Sequence, residues 1–91
     1  MTRLTATIVG HVQGVGFRFA TQRIARSFAV TGYVKNLPDG NVLIVAEGAK
    51  DEADAFLRTV RQRMADNINH IDRRYGDATG QFEYEGFGVR H

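Results

Sequence analysis

The chain has 91 residues, 43% of them apolar and 24% charged. That is the size and balance of one soluble globular domain, since chains divide into separate cores only beyond about 250 residues. Secretion and membrane insertion are excluded from the reading: the longest apolar run, Val42 to Ala46, is far below the roughly 20 residues a bilayer span needs. With no cysteine there is no disulfide, no thiolate nucleophile and no thiolate metal site, and a reducing cytoplasm is the expected location. The net charge of +2 is too small to argue for nucleic acid, and none is expected as a partner, but the balance is uneven. Residues 1–45 sum to +4 and the remainder to −2, which places any anionic ligand in the N-terminal half.

In chain order, Arg3 to Val9 alternates Leu4, Ala6 and Ile8 with Thr5 and Thr7, the pattern of a half-covered strand ending at Gly10. His11 to Arg18 carries two glycines and no helical spacing before Phe17, so it reads as a loop between a strand and a helix. Phe17, Ala20, Ile24 and Phe28 then recur at three- and four-residue intervals opposite Gln22, Arg23 and Arg26, predicting an amphipathic helix. A second strand is predicted over Gly32–Asn36. Leu37-Pro38-Asp39-Gly40 is a hairpin turn, because proline presets φ and Asp-Gly tolerates the reversal.

Strand three, Val42 to Ala46 within the run Asn41–Glu47, is apolar on both faces and belongs inside the sheet. The next segment has Asp51, Glu52 and Asp54 in its first turn and Arg58, Arg61 and Arg63 later, complementing a helix dipole. Ala53, Phe56, Leu57, Val60 and Met64 form its buried stripe, and it ends before Asn67. A fourth strand is expected over His70–Tyr75, a loop over Gly76–Gly80 and a short edge strand over Phe87–Arg90, with Gly86 and Gly88 weakening it.

The order β-α-β-β-α-β predicts one domain over residues 1–91, a ferredoxin-like α+β sandwich. Two helices lie on one face of a mostly antiparallel sheet of order 4-1-3-2, with an extra C-terminal edge strand. In that topology strands one and two run parallel about two strand spacings apart, roughly 10 Å. Gly14, Gly16, Arg18 and Asn36 therefore share one cleft at their C-terminal ends. Glycines allow consecutive N–H groups to turn inward, and the helix beginning near Phe17 adds its positive end, so the loop suits phosphate. Spacing alone leaves a plain connector with a surface arginine as the alternative, and a turn-opening role as the alternative for Asn36.

The stretch Val12-Gln-Gly-Val-Gly-Phe-Arg18, with Gly32-Tyr-Val-Lys-Asn36 and Pro38-Asp-Gly40, resembles the acylphosphatase family. The likeness continues through Val45-Ala-Glu-Gly48, the second helix and the region around Phe87. It implies a metal-free, cofactor-free hydrolase of small acyl phosphates. Backbone amides of Gln13, Gly14, Val15, Gly16, Phe17 and Arg18 would hold the phosphate, with the Arg18 guanidinium, and Asn36 would position the attacking water. A monomer is the default. The chain departs from the family pattern at residues 62–69, which lack a Gly-Pro-rich connector, and at Gly88 in the closing strand.

Other chemistry-bearing residues fit less. His11 is a loop residue, and His70 and His91 have no metal-ligand spacing. Phe19 points away from the helix's buried stripe and either lines the cleft mouth or packs over a loop. Arg23 and Arg26 are a solvated face, and Glu47 and Asp72 show no carboxylate pairing. An RNA-recognition module shares the element order, but strand three offers aliphatic residues where stacking aromatics are required. A non-catalytic anion-binding or regulatory domain on the same scaffold is the remaining alternative.

Overall fold

The computed structural model describes all residues from Met1 to His91. Along β1 (Thr2–Gly10) the side chains of Leu4, Ala6 and Ile8 are fully buried, and the threonines between them face the other side of the sheet. A glycine-bearing loop leads to α1 (Phe17–Ala25), and then come β2 (Val30–Asn36), a tight turn and β3 (Val42–Gly48). Helix α2 (Lys50–Arg63), a single 3-10 turn (Ala65–Asn67), β4 (Ile68–Asp77) and β5 (Phe87–Arg90) complete the chain. The sheet order is β4-β1-β3-β2-β5, with β3 at the centre as its two-sided apolar run requires. Only the β2–β5 pairing is parallel. Both helices cover one face of the sheet, and Phe56, Leu57 and Val60 of α2 meet Leu4, Ile8 and Ile44 in the core. The architecture is the ferredoxin-like α+β fold with an added C-terminal strand.

The bounds of α1, β4 and β2 depart most from the sequence expectation, each for a physical reason. Helix α1 stops at Ala25 because the amides of Arg26, Ser27 and Phe28 bond to carbonyls three residues back, tightening the chain out of the α-helix. Phe28 keeps its place on the apolar side, its ring centroid 6.1 Å from that of Phe56. Strand β4 is longer than His70–Tyr75: it pairs with the whole of β1, from Thr2 opposite Asp77 to Gly10 opposite Ile68. Gly76 and Asp77 are thus strand, and the loop starts at Ala78. Strand β2 likewise begins two residues early, where Val30 pairs with Gly48.

The segment 78–86, of which the sequence marks only the loop up to Gly80, folds over the sheet face opposite the helices. Phe82 is 1% exposed there, edge-on to Tyr33 at 5.6 Å and beneath the guanidinium of Arg3 at 5.4 Å. Gly88 does not break β5. It pairs with Tyr33, and the short strand is held by Phe87, whose ring lies 5.3 Å from that of Phe56.

Candidate functional site

Strand register brings the distant site residues together. Ile8 of β1 and Asn36 of β2 both pair with Val42 of β3, so the end of β1 and the Asn36 side chain stand two strand spacings apart, about 10 Å. Asn36 shares its face with buried Val34 and points toward the helix layer, while Lys35 points to the other face and is exposed. The loop leaving β1 crosses this gap into α1. Between them lies a cleft of about 110 Å³. Gly14, Gly16, Arg18 and Asn36 line it together with Val12, Phe17 and Phe19. The four residues expected to converge do so.

The loop's conformation follows from its glycines. Gly14 and Gly16 have φ of +75° and +76°, left-handed values that cost a non-glycine residue about 1–2 kcal/mol. A Cβ at either position would meet nothing within 4 Å, so the requirement is conformational, and the missing side chains leave the amides open. None of the backbone N–H groups of residues 12–19 donates to a protein acceptor. Gly16 caps α1 without a side-chain bond, and no acidic residue stands in the first turn. The positive end of the helix therefore faces the cleft without a counter-charge.

The loop is braced from outside. Gln13 Nε2 donates to the carbonyl oxygens of Leu37 and Asn41 at 2.7 and 2.8 Å, tying the loop to the β2–β3 turn. The Gln13 side chain is thus a strut, and its expected part in binding rests with its main chain. Phe17, 1% exposed, anchors the helix start in the core, so it too faces the cleft's floor rather than its mouth. Thr21, fully buried though polar, returns its hydroxyl to the Phe17 carbonyl at 2.9 Å.

Arg18 is half-buried and held by the last strand. Its Nη1 donates to the Arg90 carbonyl oxygen at 3.0 Å and lies 3.1 Å from His91 Nδ1. Nε and Nη2 donate to no protein atom, which leaves the edge of the guanidinium that can grip two oxygens. Asn36 Oδ1 is buried and has no hydrogen-bond partner, a state that costs about 1–3 kcal/mol. A cradle of main-chain donors, a guanidinium and an acceptor at one wall can together seat a tetrahedral oxyanion beside a water molecule.

A larger concavity of about 490 Å³ lies at the opposite end of the sheet, lined in part by Glu47, Gly48 and Thr79. Its buried carboxylate is fully engaged. Glu47, 4% exposed, accepts from Arg3 Nε at 2.7 Å, from Thr79 N and Gly80 N at 2.9 Å, and from Thr79 Oγ1 at 3.0 Å. Burial pushes its pKa up, but these donors outweigh burial and hold it down to about 2. At this end Glu47 and Arg3 close the 78–82 segment onto the sheet. No group of three or more His, Cys, Asp or Glu residues is arranged to hold a metal ion, and no helix is long and apolar enough to cross a membrane.

His11 is exposed, and its carbonyl accepts from Asn67 Nδ2 at 3.0 Å. His70 is exposed on β4. The contact of Arg90 and His91 with Arg18 leaves no mark in the sequence, because it depends on where β5 docks. Phe19 does line the cleft mouth, 56% exposed.

The class defined by this fold and cleft is a ferredoxin-like α+β domain with an open glycine loop at the start of its first helix. A family model described as Acylphosphatase matches residues 4–89. The acylphosphatase of Deinococcus radiodurans is 41% identical over 83 residues, covering 90% of this chain and 95% of its own. The crystal structure of acylphosphatase from Bacillus subtilis superposes with a TM-score of 0.86 at 27% identity, covering all of both chains. Over its whole length the chain also matches 12% of the chain in the crystal structure of T.kodakarensis HypF, with a TM-score of 0.82 and 30% identity. The chain belongs to the acylphosphatase family. The activity that membership carries is hydrolysis of acyl phosphates, small-molecule substrates.

Proposed function

We propose that the chain hydrolyses the carboxyl-phosphate bond of small acyl phosphates by direct attack of a water molecule held by Asn36. The phosphoryl group would lie against the amides of residues 13–18 and the free edge of Arg18. The observation that carries this reading is the convergence of Asn36, Arg18 and the open glycine loop on one cleft.

In this mechanism the Asn36 carboxamide holds the water so that an oxygen lone pair is aimed at phosphorus. A new P–O bond forms as the bond to the acyl oxygen breaks, and the electron pair leaves on a carboxylate. Carboxylic acids ionise near pH 4, so that leaving group departs without a proton donor. The water's proton ends on solvent or product phosphate. Negative charge on the equatorial oxygens is met by Arg18 and by main-chain dipoles fixed before the reaction begins. Asn36 accepts no proton near neutral pH, so its contribution is alignment.

The test is hydrolysis of acetyl and benzoyl phosphate in EDTA by the parent, Arg18→Ala and Asn36→Ala. Activity is expected to survive chelation in the parent, with both KM and kcat damaged in Arg18→Ala and chiefly kcat in Asn36→Ala. Folded variants as fast as the parent would remove both assignments. The match to part of a much longer chain favours one second reading, a domain that binds an anion without turning it over. Phosphate binding by the parent with no hydrolysis would select it.

A further inference from the structure

We infer that Phe19, helped by Val15, is the acyl-recognition element, which makes the preferred substrates acyl phosphates with uncharged, apolar and especially planar aromatic acyl groups. The inference rests on the proposed function of the same cleft.

A space of about 110 Å³ holds a phosphoryl group and a water but no sizeable acyl group, so the acyl end must extend over the rim. In-line displacement fixes the direction, because the leaving oxygen departs on the side away from the attacking water. Asn36, the water's partner, lines the cleft together with the floor residues Val12 and Phe17, each 1% exposed, so the water lies on the inner side. The leaving group therefore exits toward the exposed side, where Gly14, Val15 and Gly16 form the surface of the loop.

That rim is apolar. The large hydrophobic side chains left exposed are Met1, Val15 at 37%, Phe19 at 56%, Tyr75 and Tyr84. Tyr75 donates its hydroxyl to Asp54, Met1 begins the chain and Tyr84 lies in the 78–86 segment. The two aliphatic or phenyl groups exposed without a polar handle are thus both at this cleft, Phe19 on its lining and Val15 between two lining glycines. Arg18 is the only charged residue of the lining, and it is committed to the phosphoryl group. An acyl chain with its own carboxylate or second phosphate would meet no second cation there, whereas an aromatic ring can lie on Phe19.

The experiment measures kcat and KM for benzoyl and acetyl phosphate in the parent, Phe19→Ala, Phe19→Tyr and Val15→Ser. It also measures affinity for benzoylphosphonate and acetylphosphonate, analogues that bind without reacting. In Phe19→Ala the benzoyl-to-acetyl ratio of kcat/KM is expected to fall about tenfold through KM, the loss of some 60 Å² of apolar contact. Affinity for benzoylphosphonate should fall in step, acetyl phosphate values should fall by less than about threefold, Phe19→Tyr should restore the ratio, and Val15→Ser should shift it about twofold. A parent that hydrolyses neither substrate defeats the proposed function itself. A parent that hydrolyses both, with a ratio unmoved in Phe19→Ala or with the two substrates falling equally, overturns the role of Phe19 and leaves the function standing.

Discussion

The two ends of the sheet treat buried polar groups in opposite ways. At the Glu47 end, four donors close on one carboxylate. Arg3, besides bonding Glu47, reaches Thr79 and Gln81 through Nη2 and lies over the Phe82 ring. At the other end, Asn36 Oδ1 has no partner, a run of amides donates to nothing and Arg18 spends one of its nitrogens on the protein. Polar groups matched within the chain stabilise the fold, and groups left unmatched at a cleft cost stability and are available to a ligand. Size of concavity is therefore a poor guide here, because the buried carboxylate of the larger one is already bonded within the chain.

Substitutions that exchange those roles should give opposite phenotypes. The largest effect is expected at the open end: Arg18→Ala and Asn36→Ala should each lower turnover by about 10²–10³ or more, the scale for removing a group that stabilises or aligns the transition state. Thermal denaturation of Asn36→Ala should show a midpoint unchanged or raised, since the variant deletes an unmatched acceptor. Loss of stability comparable to loss of activity would break the contrast. At the closed end, Glu47→Ala should destabilise by about 3 kcal/mol, leaving Arg3 without its counter-ion. Activity per folded molecule should persist, as read from chemical denaturation beside a single-temperature assay.

Acid sharpens the same comparison. The Glu47 pKa is about 2 in the folded chain against a reference of 4.5, so the unfolded state binds the proton first. Its stabilisation is fully present above about pH 4.5 and disappears as pH falls through 4.5 toward 2. Urea midpoints measured across that window should fall steeply in the parent and more shallowly in Glu47→Gln. A smaller effect is expected for Gly16→Ala, which forces a Cβ into φ of +76° and should cost about 1–2 kcal/mol together with phosphate affinity, measured by titration calorimetry. Smallest is Gln13→Leu, which frees the loop from the β2–β3 turn and should lower stability by about 1 kcal/mol and turnover severalfold.

Most of the fold was legible because hydrophobic period and turn chemistry agree. Leu4, Ala6 and Ile8 mark one face of β1, the α2 stripe is regular, and Pro38-Asp39-Gly40 fixes a turn whose Leu37 and Asn41 close on each other at 2.8 Å. The convergence of Gly14, Gly16, Arg18 and Asn36 followed from topology alone. What escaped was information held by partners rather than by the segment itself. β4 has no clean alternation, and the ladder with β1 sets its length. Thr21 and Glu47 are polar by type, and only their hydrogen bonds make burial tolerable. Phe82 sits in a stretch flanked by Gln81, Glu83 and Tyr84 with no periodicity, and its pocket is made by Arg3, Tyr33 and Arg90 from three strands. The tail's grip on Arg18 spans 72 residues, a contact no local pattern announces.

That last contact has a consequence for when the cleft becomes competent. The loop and Asn36 belong to the first half of the chain, yet the guanidinium is steadied by a carbonyl from a four-residue strand at the sheet's margin. Long-range closures of this kind come late in folding, after nearer contacts have compensated for the lost chain entropy. A molecule whose β1, α1, β2 and β3 have formed would carry the cradle but an unsteadied arginine. Fraying of the marginal strand in the native protein would release that arginine in the same way, so the pairing of β5 with β2 is what steadies the site's cation.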